Sequence, residues 1–73
     1  MSPKLPALTA KEVVRLLENR GFVLVSQKGS HAKYRNVDGR TTIVPIHPGE
    51  GIGPGLLLQI LNDAGIDPTS LRR

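Results

Sequence analysis

Apolar and polar positions alternate along this chain in two different periods. From residue 9 the period is helical: Val13, Leu16 and Leu17 fall at i, i+3 and i+4, one face of a 3.6-residue repeat. Thr9-Ala10-Lys11-Glu12 precedes that stripe as a capping box, with Leu8 and Val13 at the spacing of a hydrophobic staple. Gly21 suits a left-handed helix ending, after which Phe22 can fold back on Leu17. These signals predict a helix over 10–20. The period then shortens. Phe22–Gln27 is aromatic and β-branched and reads as a strand. Lys28-Gly29-Ser30 reads as a turn, and His31–Asn36 as a second strand. Val37-Asp38-Gly39 is a hairpin signal, and Thr41–Ile46 is a third strand, where Pro45 suits a terminal or edge position.

The second hairpin has an arguable register. A three-residue loop with Gly39 in the left-handed position pairs Asn36 with Arg40, Tyr34 with Thr42 and Ala32 with Val44. Ala32, Tyr34, Val44 and Ile46 then share one face. His31, Lys33 and Arg35 share the other with Thr41, Ile43, Pro45 and His47. A two-residue loop would mix the apolar and charged sets. In the first hairpin Phe22 and Leu24 are expected inward, with Val23 and Val25 as competitors.

His47–Gly55 is a Gly- and Pro-rich loop. It leads to a second helix with Gly53 as N-cap and Pro54 at its first position. Leu57, Ile60, Leu61 and Ala64 form its inward stripe, and Gly65 and Ile66 repeat the first helix's ending. Leu56 and Leu58 exceed one stripe, so part of this helix is expected to face a partner. Residues 1–8 read as a loose arm, and 67–73 as a short turn or a frayed end. The expected fold is one α+β domain over 1–73, ordered α-β-β-β-α. A three-stranded antiparallel sheet carries both helices on one face and leaves the other to solvent.

Composition narrows the chemistry. The chain has 73 residues, no cysteine and two histidines, so neither disulfides nor thiolate metal sites support the fold. No cofactor, small-molecule or metal, is expected. No apolar run approaches the roughly 20 residues that span a bilayer. Met1–Pro6 lacks the apolar region of a secretory signal, so a cytoplasmic setting without membrane contact is expected. The net charge of +4 favours a polyanionic partner.

The solvent face holds the candidate chemistry. His31, Lys33 and Arg35 form one cationic stripe. Gly29 lets a phosphate approach the backbone, and Ser30 offers a hydroxyl. Lys28, Lys33, Arg35 and Arg40 are candidate phosphate contacts for RNA. Histidine shuttles protons near neutral pH. RNA cleavage by its own 2′-hydroxyl needs a base for that hydroxyl and an acid for the leaving 5′-oxygen. His31 can take one of these roles, and His47 is the nearest candidate for the other. The residues alone also allow an exposed histidine without a role, a non-catalytic double-stranded RNA-binding module, or a protein-binding face.

Gly21-Phe22, Gln27-Lys28-Gly29-Ser30-His31, Tyr34-Arg35, Asp38-Gly39-Arg40, Val44-Pro45-Ile46-His47-Pro48-Gly49, Pro54-Gly55, Ile60-Leu61 and Ala64-Gly65 together resemble the HicA family of toxin endoribonucleases, over roughly residues 9–66. The resemblance implies a fold like the double-stranded RNA-binding domain and mRNA cleavage without a metal. It also implies neutralisation by a HicB-type antitoxin, expected here to cover the His31 face. The family's catalytic histidine maps onto His31 and its adjoining glycine onto Gly29. Three departures stand out. Ala32 replaces a frequent second histidine, and Gly53 replaces a frequent lysine. Leu58, Gln59, Asn62 and Asp63 stand where Lys or Arg is usual.

Overall fold

The structure, a computed structural model, describes residues 7–71. Its elements in chain order are β1 (Leu8–Thr9), α1 (Ala10–Asn19), β2 (Val23–Lys28), β3 (His31–Arg35), β4 (Thr41–Pro45), β5 (Gly51–Ile52), α2 (Pro54–Ala64) and a 3₁₀ turn, Pro68–Leu71. The fold is α+β, with a three-stranded antiparallel sheet in the order β2-β3-β4.

Local chemistry explains the helix ends. The Glu12 amide donates to Thr9 Oγ1 at 3.2 Å, and the Thr9 amide donates to Glu12 Oε1 at 2.9 Å, closing the capping box. At the other end Gly21 has φ +89°. The Phe22 amide reaches the Leu17 carbonyl at 3.0 Å, and the Gly21 amide reaches the Glu18 carbonyl at 3.0 Å, a Schellman ending. Asn36 adds a tie from the sheet: its Nδ2 donates to the Arg20 carbonyl at 2.9 Å. α2 starts at Pro54 after Gly53 and ends in the same way, with the Ile66 amide on the Leu61 carbonyl at 2.9 Å.

The second hairpin has the expected register. Ala32 pairs with Val44 and Tyr34 with Thr42, and the Asn36 amide donates to the Arg40 carbonyl at 2.9 Å. Gly39 has φ +92°. Both helices pack on β4. Val13 and Leu17 of α1 join Leu57, Ile60 and Leu61 of α2 with Ala32, Tyr34 and Val44 of the sheet in one core, capped by Phe22. Burying each of the larger side chains contributes about 1.5–3 kcal/mol. Thr42 falls on the same inner face and is buried, and its Oγ1 has no hydrogen-bond partner among the described residues. Burial of the Tyr34 phenol, and secondarily the charge of Glu18, pushes its pKa above the ordinary value.

The first hairpin differs from expectation. Its strand begins at Val23 and includes Lys28, which pairs with His31, so the turn is only Gly29-Ser30. Gly29 has φ +56° and Ser30 a negative φ, the signs of a type II′ turn. Leu24 pairs with Tyr34 and shares its inner face, yet it is 50% exposed. The helices sit over β4, so β2 overhangs the core and none of its residues is buried. The N-terminal side differs too. Leu8, the last residue of the expected loose arm, pairs with Ile52, and the N-cap Thr9 with Gly51, inside the stretch expected to be loop. Residues 1–6 of the expected arm and the last two residues of the expected tail lie outside the described residues. The part of the tail that is described forms the 3₁₀ turn.

Candidate functional site

The outer face of the sheet is a small grid set by strand pairing. Lys28, His31 and Pro45 lie across one row, Ser26, Lys33 and Ile43 across the next, and Val23, Arg35 and Thr41 across the third. Directly opposed side chains in such pairs have Cβ atoms about 5 Å apart, and alternate residues along a strand are about 7 Å apart. His31 therefore has Lys28 beside it and Lys33 one step along. Ser26, Lys28, His31, Lys33 and Ile43 line a shallow recess of about 210 Å³. No position of the grid carries a carboxylate, and among the described residues Asp63 of α2 comes near it only through the groove it shares with Lys33 around the β4 edge.

A register shift between Leu24 and Ser26 produces this arrangement. Two residues of β2 oppose one of β3 there, and the extra residue reverses the facing of everything beyond it. Ser26 and Lys28 consequently face outward with His31. Sequence reading missed Ser26 for this reason, and no residue in Val23–Lys28 signals a bulge. Gln27 faces the other way, and its Nε2 donates to the Gly29 carbonyl at 3.1 Å, bracing the turn. A Cβ at Gly29 would meet nothing within 4 Å, so the backbone there is open to an approaching ligand. The half-buried Ser30 accepts from the Ile46 amide through its carbonyl, which ties the loop after β4 to the turn beside His31.

Two predicted site residues sit elsewhere. Arg40 lies beside Asn36 at the far end of the sheet, about 17 Å from His31 by strand rise. Its Nε is 3.4 Å from Asp38 Oδ2. A Cβ built on Gly65 would come within 2.8 Å of the Arg40 guanidinium carbon, so that cation covers the C-terminal end of α2, where the helix dipole favours positive charge. Arg40 is thus apart from the stripe and engaged structurally. His47, expected on the outer face, lies past the end of β4. It lines a groove of about 560 Å³ on the inner side with Ala10, Val14, Ala32, Tyr34 and Ile46. Pro45 ends the ladder, so strand alternation no longer dictates where His47 points.

No three His, Asp or Glu side chains among the described residues are grouped closely enough to share a metal ion. None of their helices is long and apolar enough to cross a membrane.

The sequence matches the family model described as the HicA toxin of bacterial toxin–antitoxin systems over residues 10–66. That span runs from the first residue of α1 to Ile66, whose amide closes α2. No curated protein matches the sequence. With that match covering most of the chain, the protein belongs to the HicA toxin family.

Proposed function

We propose that this toxin is an endoribonuclease that cleaves mRNA in the cytoplasm without a metal, with His31 as general acid/base. Its activity is neutralised by a HicB-type antitoxin lying over the His31 face. The observation that carries the reading is the row Lys28–His31 beside Lys33 on an open face free of carboxylates. Lys28 and Lys33 hold the phosphates on either side of the scissile bond, and Arg35 extends the track along β3. The open backbone at Gly29 and the Ser30 hydroxyl receive a phosphate oxygen.

In the reaction the RNA 2′-oxygen bonds to the adjacent phosphorus as its proton passes to a base. The bond from phosphorus to the 5′-oxygen breaks as that oxygen takes up a proton. The products are a cyclic phosphate end and a 5′-hydroxyl end. His31 performs one of these two transfers. His47 is a weaker candidate for the other, because it lines the inner groove rather than the His31 recess.

The test compares the parent chain with His31→Ala for growth arrest and for new RNA ends, in EDTA and without it. Cleavage by the parent in EDTA and none by His31→Ala is expected. Equal cleavage by both removes His31 from the chemistry. Salt-sensitive RNA binding without new ends in either would establish a non-catalytic RNA-binding module instead.

A further inference from the structure

The His31 recess does not end at the sheet. Lys33 and Ile43, which line it, also line a second groove of about 380 Å³ between the β4 edge and α2, whose other lining residues include Thr41, Leu56, Gln59 and Asp63. Ile43 is 52% and Leu56 38% exposed on its walls. Leu56 is one of the two leucines left over from the inward stripe of α2, and the catalytic reading makes no use of it.

We infer that this groove is the anchor point of the antitoxin, taking an apolar side chain between Ile43 and Leu56 and a carboxylate at Lys33. The inference rests on the toxin reading above and deepens it. Charge and polarity separate the occupants. An RNA backbone gains nothing from aliphatic walls and is repelled by Asp63. A protein segment buries those walls, pairs a carboxylate with Lys33, the cation the groove shares with the RNA track, and sets a basic or amide group against Asp63, a mixed pattern that a uniformly anionic RNA backbone does not offer. Continuity supplies the inhibition: a chain anchored here stands at the lip of the His31 recess, and its carboxylate takes the cation that RNA needs. Leu58, 41% exposed on the same helix, does not line the groove, so the two surplus leucines have different roles.

The test uses Leu56→Asn, with Leu58→Asn as the matched control, against the antitoxin encoded with this chain. Leu56 is the exposed third residue of α2, and asparagine is close to leucine in size and suited to a first helical turn, so the fold is kept. Leu56→Asn is expected to weaken antitoxin binding about tenfold or more, because the antitoxin's apolar side chain then meets an amide. The amide adds no charge beside Lys33, so RNA cleavage should stay at the parent level and growth arrest would escape neutralisation. Leu58→Asn should bind and be neutralised as the parent is. Unchanged binding by Leu56→Asn, equal weakening by Leu58→Asn, or loss of cleavage in step with loss of binding would each overturn the groove assignment. A parent chain that neither cleaves RNA nor binds the antitoxin would instead overturn the toxin reading, and the groove assignment with it.

Discussion

Lys28 stands directly opposite His31 across the antiparallel β2–β3 pair. That opposition exists because the bulge near Val25 advances β2 by one residue and because Gly29 takes a left-handed φ of +56° in a two-residue turn. A lysine that reads as part of a turn thereby becomes a strand residue on the working face. Its ammonium and that of Lys33 flank the imidazole, the geometry needed to hold a phosphodiester against a proton-transfer group.

The salt dependence of RNA binding checks this arrangement. In a His31→Ala background, Lys28→Ala and Lys33→Ala should each reduce the slope of log affinity against log salt by about 0.7, the value for one contact to a single strand. Arg15→Ala, on the exposed side of α1, should leave the slope as it was. Fluorescence anisotropy across a salt series measures it. Unchanged slopes in both lysine variants would remove these residues from the RNA path.

At the other end of the molecule, Gly65 with φ +70° closes α2 under the Arg40 guanidinium. Gly65→Ala should lower unfolding stability by about 1–2 kcal/mol, mainly through the left-handed backbone. Gly65→Asn should cost less, because asparagine enters that region more readily. Urea denaturation separates the two. If Asn costs as much as Ala, the encounter with Arg40 dominates rather than the backbone.

Thr42 offers a stabilising change. It is 3% exposed on the inner face, and its hydroxyl is unpartnered among the described residues. Thr42→Val keeps the shape and removes a polar group that burial penalises. Stability should rise by about 1 kcal/mol. A fall in the melting midpoint would show that the hydroxyl is satisfied in solution.

Tyr34 sets an alkaline limit. Its phenol is pushed above the ordinary value of 10.0, first by burial and then by Glu18. The folded state therefore holds the proton more tightly than the unfolded state does. The resulting stability is fully present below pH 10 and is lost as pH rises through and beyond that value. Tyr34→Phe should remove this part of the alkaline decline while leaving the profile below pH 9 parallel to the parent's, to within about one unit of the ordinary pKa. Chemical denaturation between pH 8 and 11, about the phenol's titration range, reads it. An alkaline decline identical in the two proteins would place its origin in another group.

Interactions within a few residues were legible from the chain alone. Thr9 and Glu12 cap α1, and Gly21 and Gly65 end the helices. The three-residue loop at Val37-Asp38-Gly39 aligns Ala32 with Val44. Each depends on spacing and on one residue's allowed backbone angles, so sequence suffices. The stripe of His31, Lys33 and Arg35 was legible for the same reason, since alternation along one strand needs no partner. What surrounds that stripe needed the tertiary structure. A bulge in β2 depends on pairing with β3, and it placed Ser26 and Lys28 at His31. The helices' position over β4 left Leu24 exposed, although it faces inward as strand alternation predicts. The end of β4 at Pro45 sent His47 into the inner groove, and packing of the β3–β4 hairpin against α2 drew Arg40 onto Gly65. These are contacts between segments distant in sequence, and the lateral placement of packed layers carries no local signature. The chain thus specified which residues could do chemistry at His31, and the packing of its layers decided which of them stand beside it.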